Sequence, residues 1–157
     1  MRVPRIYIET SIFNFCFADN DPEKQRDTLK LFDEIREGKY EPVTSVYVLE
    51  ELERAPEPKQ GNMTALIRDC AIAMLATSDE AEDLANRYIE AGIIPEKYKL
   101  DAIHIAMATI HGLDVMVSFN FKHIVKRKTI EMTAAVNFEQ GYRSIGIYSP
   151  TEVVEND

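Results

Sequence analysis

Residues 100–120 read LDAIHIAMATIHGLDVMVSFN and contain two apolar segments separated by a glycine turn. The first segment is apolar nearly all round a helical wheel, so we predict a buried helix that opens at Pro95 and ends near Gly112. Residues 115–118 form a shorter apolar run that predicts a buried strand. A helix and a strand of this kind are typical of an α/β protein whose sheet is covered on both faces.

The same alternation of strands and helices extends along the rest of the chain. Strand-like runs lie at residues 5–9, 41–45 and 144–148. Thr10 and Ser11 are expected to cap a helix after the first strand. Further helices are predicted over residues 21–38, 46–54, 63–75, 78–92, 128–140 and just after 149. No repeat or linker interrupts this order, so we predict a single domain over residues 1–157 with a mostly parallel sheet.

The composition excludes several classes of protein. The chain has 157 residues, two cysteines and 45% hydrophobic residues, which is enough for a core without disulfides. No apolar run is long enough for a membrane span or forms a signal peptide, so we expect a cytoplasmic protein with no membrane association. The net charge of −9 argues against tight non-specific binding to nucleic acid.

Four polar residues stand where the predicted fold would gather them at one edge of the sheet. Glu9 and Asn120 follow two predicted strands, and ligands of open α/β sheets bind at the carboxyl ends of strands. Glu51 lies nearer the apolar face of its helix than Glu50 does. Asp101 lies near the start of the apolar helix, where a buried carboxylate is costly unless it is paired or binds a metal.

Each of these residues alone has an ordinary structural explanation. Glu9 and Glu51 could be solvated, Asn120 could only form a turn, and Asp101 could stabilise its helix start or pair with His104. His104 itself is expected to be a core histidine with satisfied hydrogen bonds. Taken together, however, the four oxygen-bearing residues outline a site for a hard cation such as Mg²⁺ or Mn²⁺.

The sequence resembles the PIN-domain family, and in particular the VapC-like ribonuclease toxins of toxin-antitoxin pairs. The second of the three matching blocks selects Glu51, because the family places an acid six residues after the serine. The blocks cover most of the chain: residues 7–12 (YIETSI), 45–52 (SVYVLEEL), and 100–108 with 112–120 (LDAIHIAMA and GLDVMVSFN).

The resemblance implies a three-layer α/β/α sandwich and metal-dependent endonucleolytic hydrolysis of RNA phosphodiester bonds. It also implies a possible homodimer and an inhibitory antitoxin protein as a partner. Mg²⁺ or Mn²⁺ would be the cofactor and could activate water for attack on phosphorus. The residues that the resemblance assigns to catalysis and metal binding are Glu9, Glu51, Asp101 and Asn120, and those assigned to substrate are Thr10, Ser11 and Ser118.

Two departures from the family pattern keep a second interpretation open. The family usually has Asp where this chain has Glu9, and often Asp where it has Asn120. The alternative is therefore a catalytically degenerate PIN-fold module that binds RNA or a protein without cleavage. A receiver-like phospho-acceptor domain fits less well, because Glu51 and Asp101 lie on helices and Glu9 is not a phosphorylatable Asp.

A short basic segment follows Asn120 and offers a local positive charge. Residues 122–128 read KHIVKRK, in which Lys122 and Lys126 are candidate contacts to an RNA backbone. The structural alternative is a solvated helix face. With such a strip, the overall negative charge does not exclude RNA as a substrate, but it makes a bound divalent cation a requirement for its approach.

Overall fold

A computed structural model describes residues 2–155. These residues form five strands: β1 (Arg5–Ile8), β2 (Glu41–Ser45), β3 (Ala73–Leu75), β4 (Val115–Val117) and β5 (Gly146–Tyr148). The helices are α1 (Thr10–Phe15), α2 (Pro22–Arg36), α3 (Val46–Leu52), α4 (Lys59–Asp69), α5 (Asp79–Glu90), α6 (Lys99–Ile110), α7 (Arg127–Glu139) and α8 (Pro150–Val153), with a 3₁₀ turn at Glu96–Tyr98. No helix among these is long and apolar enough to cross a membrane.

The strands form one parallel sheet in the order β3-β2-β1-β4-β5. The central strand β1 is buried on both faces, since Ile6, Tyr7 and Ile8 have no exposed surface. An apolar run without alternation is what a parallel sheet covered by helices requires. The predicted three-layer α/β/α sandwich is confirmed.

Helix α6 is the buried helix that its composition predicts. Every residue from Ala102 to Thr109 is buried, and α5 packs along it. The amphipathic α5 begins where Ser78 accepts a hydrogen bond from the Ala81 N–H, as its cap position predicts. Helix α6 ends shortly before β4 begins. The start of α6, and therefore Asp101, lies at the carboxyl end of the sheet.

Two local predictions are wrong. The segment 63–75 is not one helix: α4 ends at Asp69, Ala71 takes a positive φ of 51°, and residues 73–75 form the edge strand β3. Thr10 and Ser11 do not cap α1, because the N-cap position is Glu9 and both hydroxyls lie inside the helix. Their hydroxyl groups bind carboxylates instead.

Candidate functional site

Four of the predicted residues stand at the carboxyl ends of the two central strands or on the helices beside them. Glu9 follows β1 directly, and Asn120 follows its neighbour β4 after two residues. Glu51 lies in the last turn of α3 and Asp101 in the first turn of α6. Glu50, by contrast, is exposed to solvent, as the helical wheel predicts.

Glu9 is held by two hydroxyl groups in a nearly water-free position. The side chain is only 5% exposed. Its Oε1 atom accepts hydrogen bonds from Ser11 Oγ at 2.6 Å and from Ser118 Oγ at 2.5 Å. Burial raises the pKa of Glu9 above its usual value, although His104 and the two hydroxyls oppose that shift. Both bonds end on one oxygen, which leaves Oε2 without a donor among residues 2–155.

Glu51 is fixed in a similar way by a second pair of donors. Its Oε1 atom accepts a hydrogen bond from Thr10 Oγ1 at 2.6 Å and lies 2.7 Å from His104 Nε2. Burial alone would raise the pKa of Glu51, but the hydrogen bond and charge of His104 outweigh burial and hold this pKa below its usual value. Of the three acids in the site, Glu51 is therefore the one whose surroundings favour the ionised form.

A buried hydrogen-bonded chain continues from Glu51 into the core. His104 Nδ1 lies 2.8 Å from the Tyr7 hydroxyl, which in turn lies 2.7 Å from Ser45 Oγ. Ser45 Oγ also accepts a bond from the Val48 N–H at 3.4 Å and so caps α3. His104 is fully buried, and burial would lower its pKa. The hydrogen bond to Glu51, with the charges of Glu9, Glu51 and Asp101, outweighs burial and raises the pKa. The chain joins β1, β2, α3 and α6 behind the site.

His104 is a core histidine with satisfied hydrogen bonds, as expected, but its partner is not the one suggested by sequence spacing. Asp101 is three residues away on the same helix, yet the imidazole bonds to Glu51 on α3. The sequence pattern gave no role to Tyr7 or to the hydroxyl of Ser45. The signal that could have identified them is a buried hydroxyl in each of two neighbouring strands.

Asp101 and Asn120 form the other side of the site. Asp101 is half-buried; burial raises its pKa, while the side chain of Asn120 and the charge of His104 lower it in part. No hydrogen bond of standard geometry joins the two side chains, however. Asn120 Oδ1 accepts a bond from the His123 N–H at 3.0 Å, and the Asn120 N–H donates to Ser118 Oγ at 2.9 Å. The amide is therefore also used to hold its own turn.

The donor chemistry of this site suits a hard cation. Glu9, Glu51 and Asp101 offer carboxylate oxygens, and within residues 2–155 none of them forms an ion pair with a lysine or arginine. Burial and, to a smaller extent, the charge of Glu51 raise the pKa of both other acids. Over the same residues, no three His, Cys, Asp or Glu side chains are already arranged as a metal-binding group.

The predicted substrate contacts divide into two groups. Thr10, Ser11 and Ser118 donate their hydroxyls to the carboxylates, so these hydroxyls position Glu51 and Glu9. Lys122 and Lys126 are exposed in the turn between β4 and α7. Lys122 lies over the Tyr98 ring at 5.6 Å, and Lys126 lines a pocket of about 280 Å³.

Known structures share this fold. VapC20 of Mycobacterium tuberculosis, described as a toxin that cleaves the sarcin-ricin loop, is 18% identical; the match covers 71% of this chain and 86% of that one, with a TM-score of 0.52. A chain of VapBC2 from Rickettsia felis, solved with a DNA fragment of its promoter, is 14% identical over 92% of this chain and 98% of that one, with a TM-score of 0.55.

No protein with a curated description matches the sequence significantly. The family model described as the PIN domain matches residues 6–128, which include β1 to β4 and all four candidate residues. That match covers well over half of the chain. The chain therefore belongs to the PIN domain family.

Proposed function

We propose that this protein is an endoribonuclease that hydrolyses RNA phosphodiester bonds with the help of Mg²⁺ or Mn²⁺. The observation that supports this most directly is the way Glu9 and Glu51 are held. Hydroxyl groups fix one oxygen of each carboxylate, His104 pairs with Glu51, and no lysine or arginine of the described residues forms an ion pair with either acid. Burial raises the pKa of Glu9, so keeping this carboxylate buried reduces stability at neutral pH, and a functional use is the simplest explanation.

Each residue has a distinct role in this proposal. Glu51, Asp101 and Glu9 would hold the cation, which when bound supplies an activated water and neutralises charge on the phosphate. His104 is a positioning residue, because it touches Glu51 but is itself fully buried. Asn120 would hold water or substrate through its amide.

The decisive experiment measures RNA cleavage in Mg²⁺ or Mn²⁺ by the wild type and the Asp101→Asn and Glu51→Gln variants. Glu50→Gln is the matched control, because Glu50 is the exposed acid next to Glu51. We expect Asp101→Asn to abolish cleavage and Glu50→Gln to leave it unchanged. Glu51→Gln should reduce cleavage at least 100-fold. An effect of this size is typical for loss of a group that acts on developing charge. Cleavage retained by Asp101→Asn would refute the proposal.

A degenerate module that binds without cutting is the second candidate, and one observation favours it. The described residues contain no preformed metal-binding group, and Asn120 brings no charge to the site. Calorimetric titration with Mn²⁺ separates the two candidates. A nuclease should show saturable binding that Asp101→Asn removes, whereas a binding module should show none.

We further propose that the protein acts in the cytoplasm as the toxin of a toxin-antitoxin pair. The likeness to VapC20 and to a chain of VapBC2 supports this assignment at the level of the fold. An antitoxin protein would be its inhibitory partner, and a homodimer its assembly. Expression in a bacterial host should arrest growth, and the Asp101→Asn variant should not. Equal growth of the two strains would contradict a toxin role.

A further inference from the structure

Two clusters that combine aromatic rings with lysines border the candidate site. We define the Phe121 cluster as Phe15, Phe119, Phe121 and Lys24. The Phe15 and Phe119 rings are 4.7 Å apart, and Phe119 and Phe121 meet edge to face at 6.4 Å. The Lys24 ammonium lies 5.0 to 5.9 Å from all three ring centres.

The Tyr98 cluster consists of Tyr98, His123, Lys97 and Lys122. The Tyr98 and His123 rings are nearly stacked, with centres 4.0 Å apart and planes tilted by 32°. Both lysines lie over the Tyr98 ring, at 5.8 Å and 5.6 Å. His123 also lines the 280 Å³ pocket together with Lys126.

The contacts of each cluster place it beside a different carboxylate. Phe119 donates its N–H to Ser11 Oγ, the hydroxyl that holds Glu9. Tyr98 is the residue at the start of α6, one turn before Asp101. The turn at Asn120 connects the two clusters. The Phe121 cluster therefore borders the Glu9 end of the site, and the Tyr98 cluster borders the Asp101 end.

Core packing does not account for the outer ring of the Phe121 cluster, because Phe121 is 47% exposed. Tyr98 packs against the core but keeps part of its surface exposed. An exposed ring beside a lysine offers surface for a base and a contact for a phosphate at once, which is how proteins bind single-stranded nucleic acid. The chain has a net charge of −9, so the lysines at this edge contrast with an overall negative composition.

We propose that the Phe121 and Tyr98 clusters are base-stacking subsites that hold the nucleotides on the two sides of the phosphate to be cleaved. This rests on the proposed function, since the phosphate between them would lie at the carboxylates. Lys24 and Lys122 would contact the flanking phosphates. A base must be unpaired to stack on a protein ring, so the subsites select single-stranded segments.

The test measures binding rather than cleavage. The wild type in Mg²⁺ is titrated into a labelled 12-nucleotide single-stranded RNA whose phosphorothioate linkages resist hydrolysis, and into the same RNA as a duplex, with fluorescence anisotropy as the readout. The Phe121→Ala variant is measured in the same way. Phe138→Ala is its matched control, because Phe138 is 84% exposed on α7 and belongs to neither cluster.

We expect Phe121→Ala to weaken single-strand binding about 10-fold, the size of one lost base stack. Phe121→Trp should restore the affinity, and Phe138→Ala should leave it unchanged. Lys122→Ala should reduce the slope of log affinity against log salt by about 1. A 2-aminopurine base in the RNA should be quenched on binding and should lose that quenching with Phe121→Ala.

Three results would overturn the subsites: duplex bound as tightly as single strand, equal effects of Phe121→Ala and Phe138→Ala, or no rescue by Phe121→Trp. A Phe121→Ala variant that keeps its affinity for RNA but loses a co-purifying protein would show that Phe121 binds a protein partner instead. That result would also overturn the proposed subsites. If the binding results hold while the wild type cuts no RNA, the proposed nuclease activity fails and the subsites stand.

Discussion

The hydroxyl of Tyr7 is predicted to stabilise the protein far more than an ordinary surface tyrosine hydroxyl would. It bridges Ser45 Oγ at 2.7 Å and His104 Nδ1 at 2.8 Å, and no part of the residue is exposed. Tyr7→Phe removes both bonds without changing the ring. Because Tyr7, Ser45 and His104 are fully buried, water cannot replace the lost hydroxyl as a partner of His104 Nδ1 or of Ser45 Oγ.

The size of the effect follows from the two bonds. Each lost hydrogen bond costs about 1 kcal/mol, and a buried polar atom left unpaired adds about 1–3 kcal/mol. We therefore expect Tyr7→Phe to lower the free energy of unfolding by about 3 kcal/mol. For a chain of this length that corresponds to a fall in Tm of roughly 6–12 °C.

Thermal and urea denaturation, each followed by circular dichroism, measure this change. Tyr148→Phe is the control, because the Tyr148 side chain is 40% exposed and its hydroxyl has no hydrogen-bond partner among residues 2–155. The control should stay within about 0.5 kcal/mol of wild type. A Tyr7→Phe variant as stable as the control would show that the chain from Ser45 to His104 contributes nothing, and would refute the reasoning.

Two further predictions concern charge. Glu9→Gln should raise Tm by about 2–4 °C in metal-free buffer. Burial raises the pKa of Glu9, and the serine hydroxyls can still donate hydrogen bonds to an amide oxygen. Differential scanning calorimetry measures the change, and a lower Tm would contradict this prediction. The bonds from Arg2 and the Arg5 N–H lower the pKa of Asp114 to about 2. Wild type should therefore exceed Asp114→Asn in stability by about 1 kcal/mol above pH 4, a modest figure because Arg2 is exposed and screened by solvent. That advantage should disappear as the pH falls from 4 to 2; urea denaturation that gives the same difference at pH 2 and pH 7 would refute it.

Sequence pattern predicted the elements that carry strong local signals. Strand β2 has the predicted bounds, and α5 begins at the predicted Ser78 cap. The edge strand β3 was missed because it has three residues, is largely exposed, and follows a helix that ends without a glycine. Ala71 takes the positive φ where glycine is usual, so the sequence carries no sign of that chain reversal.

The positions of the candidate residues follow from the sequence more readily than their hydrogen bonds do. Strand ends, the helical wheel and a carboxylate in an apolar helix point to Glu9, Glu51 and Asp101. The choice of partners depends on how α3 and α6 pack, and no local pattern encodes that distance. Sequence spacing therefore offers Asp101 as one partner for His104, whereas the structure joins His104 to Glu51.

The strand order also governs when the site can exist during synthesis. The central strand β1 is translated first, but its neighbour β4 begins only at Val115. Ser118, whose hydroxyl donates the second hydrogen bond to Glu9, follows β4. A nascent chain that has not reached this point cannot assemble the site, since distant segments must meet before it forms. A site in which both hydroxyls bind Glu9 therefore cannot form until at least about three-quarters of the chain has been translated.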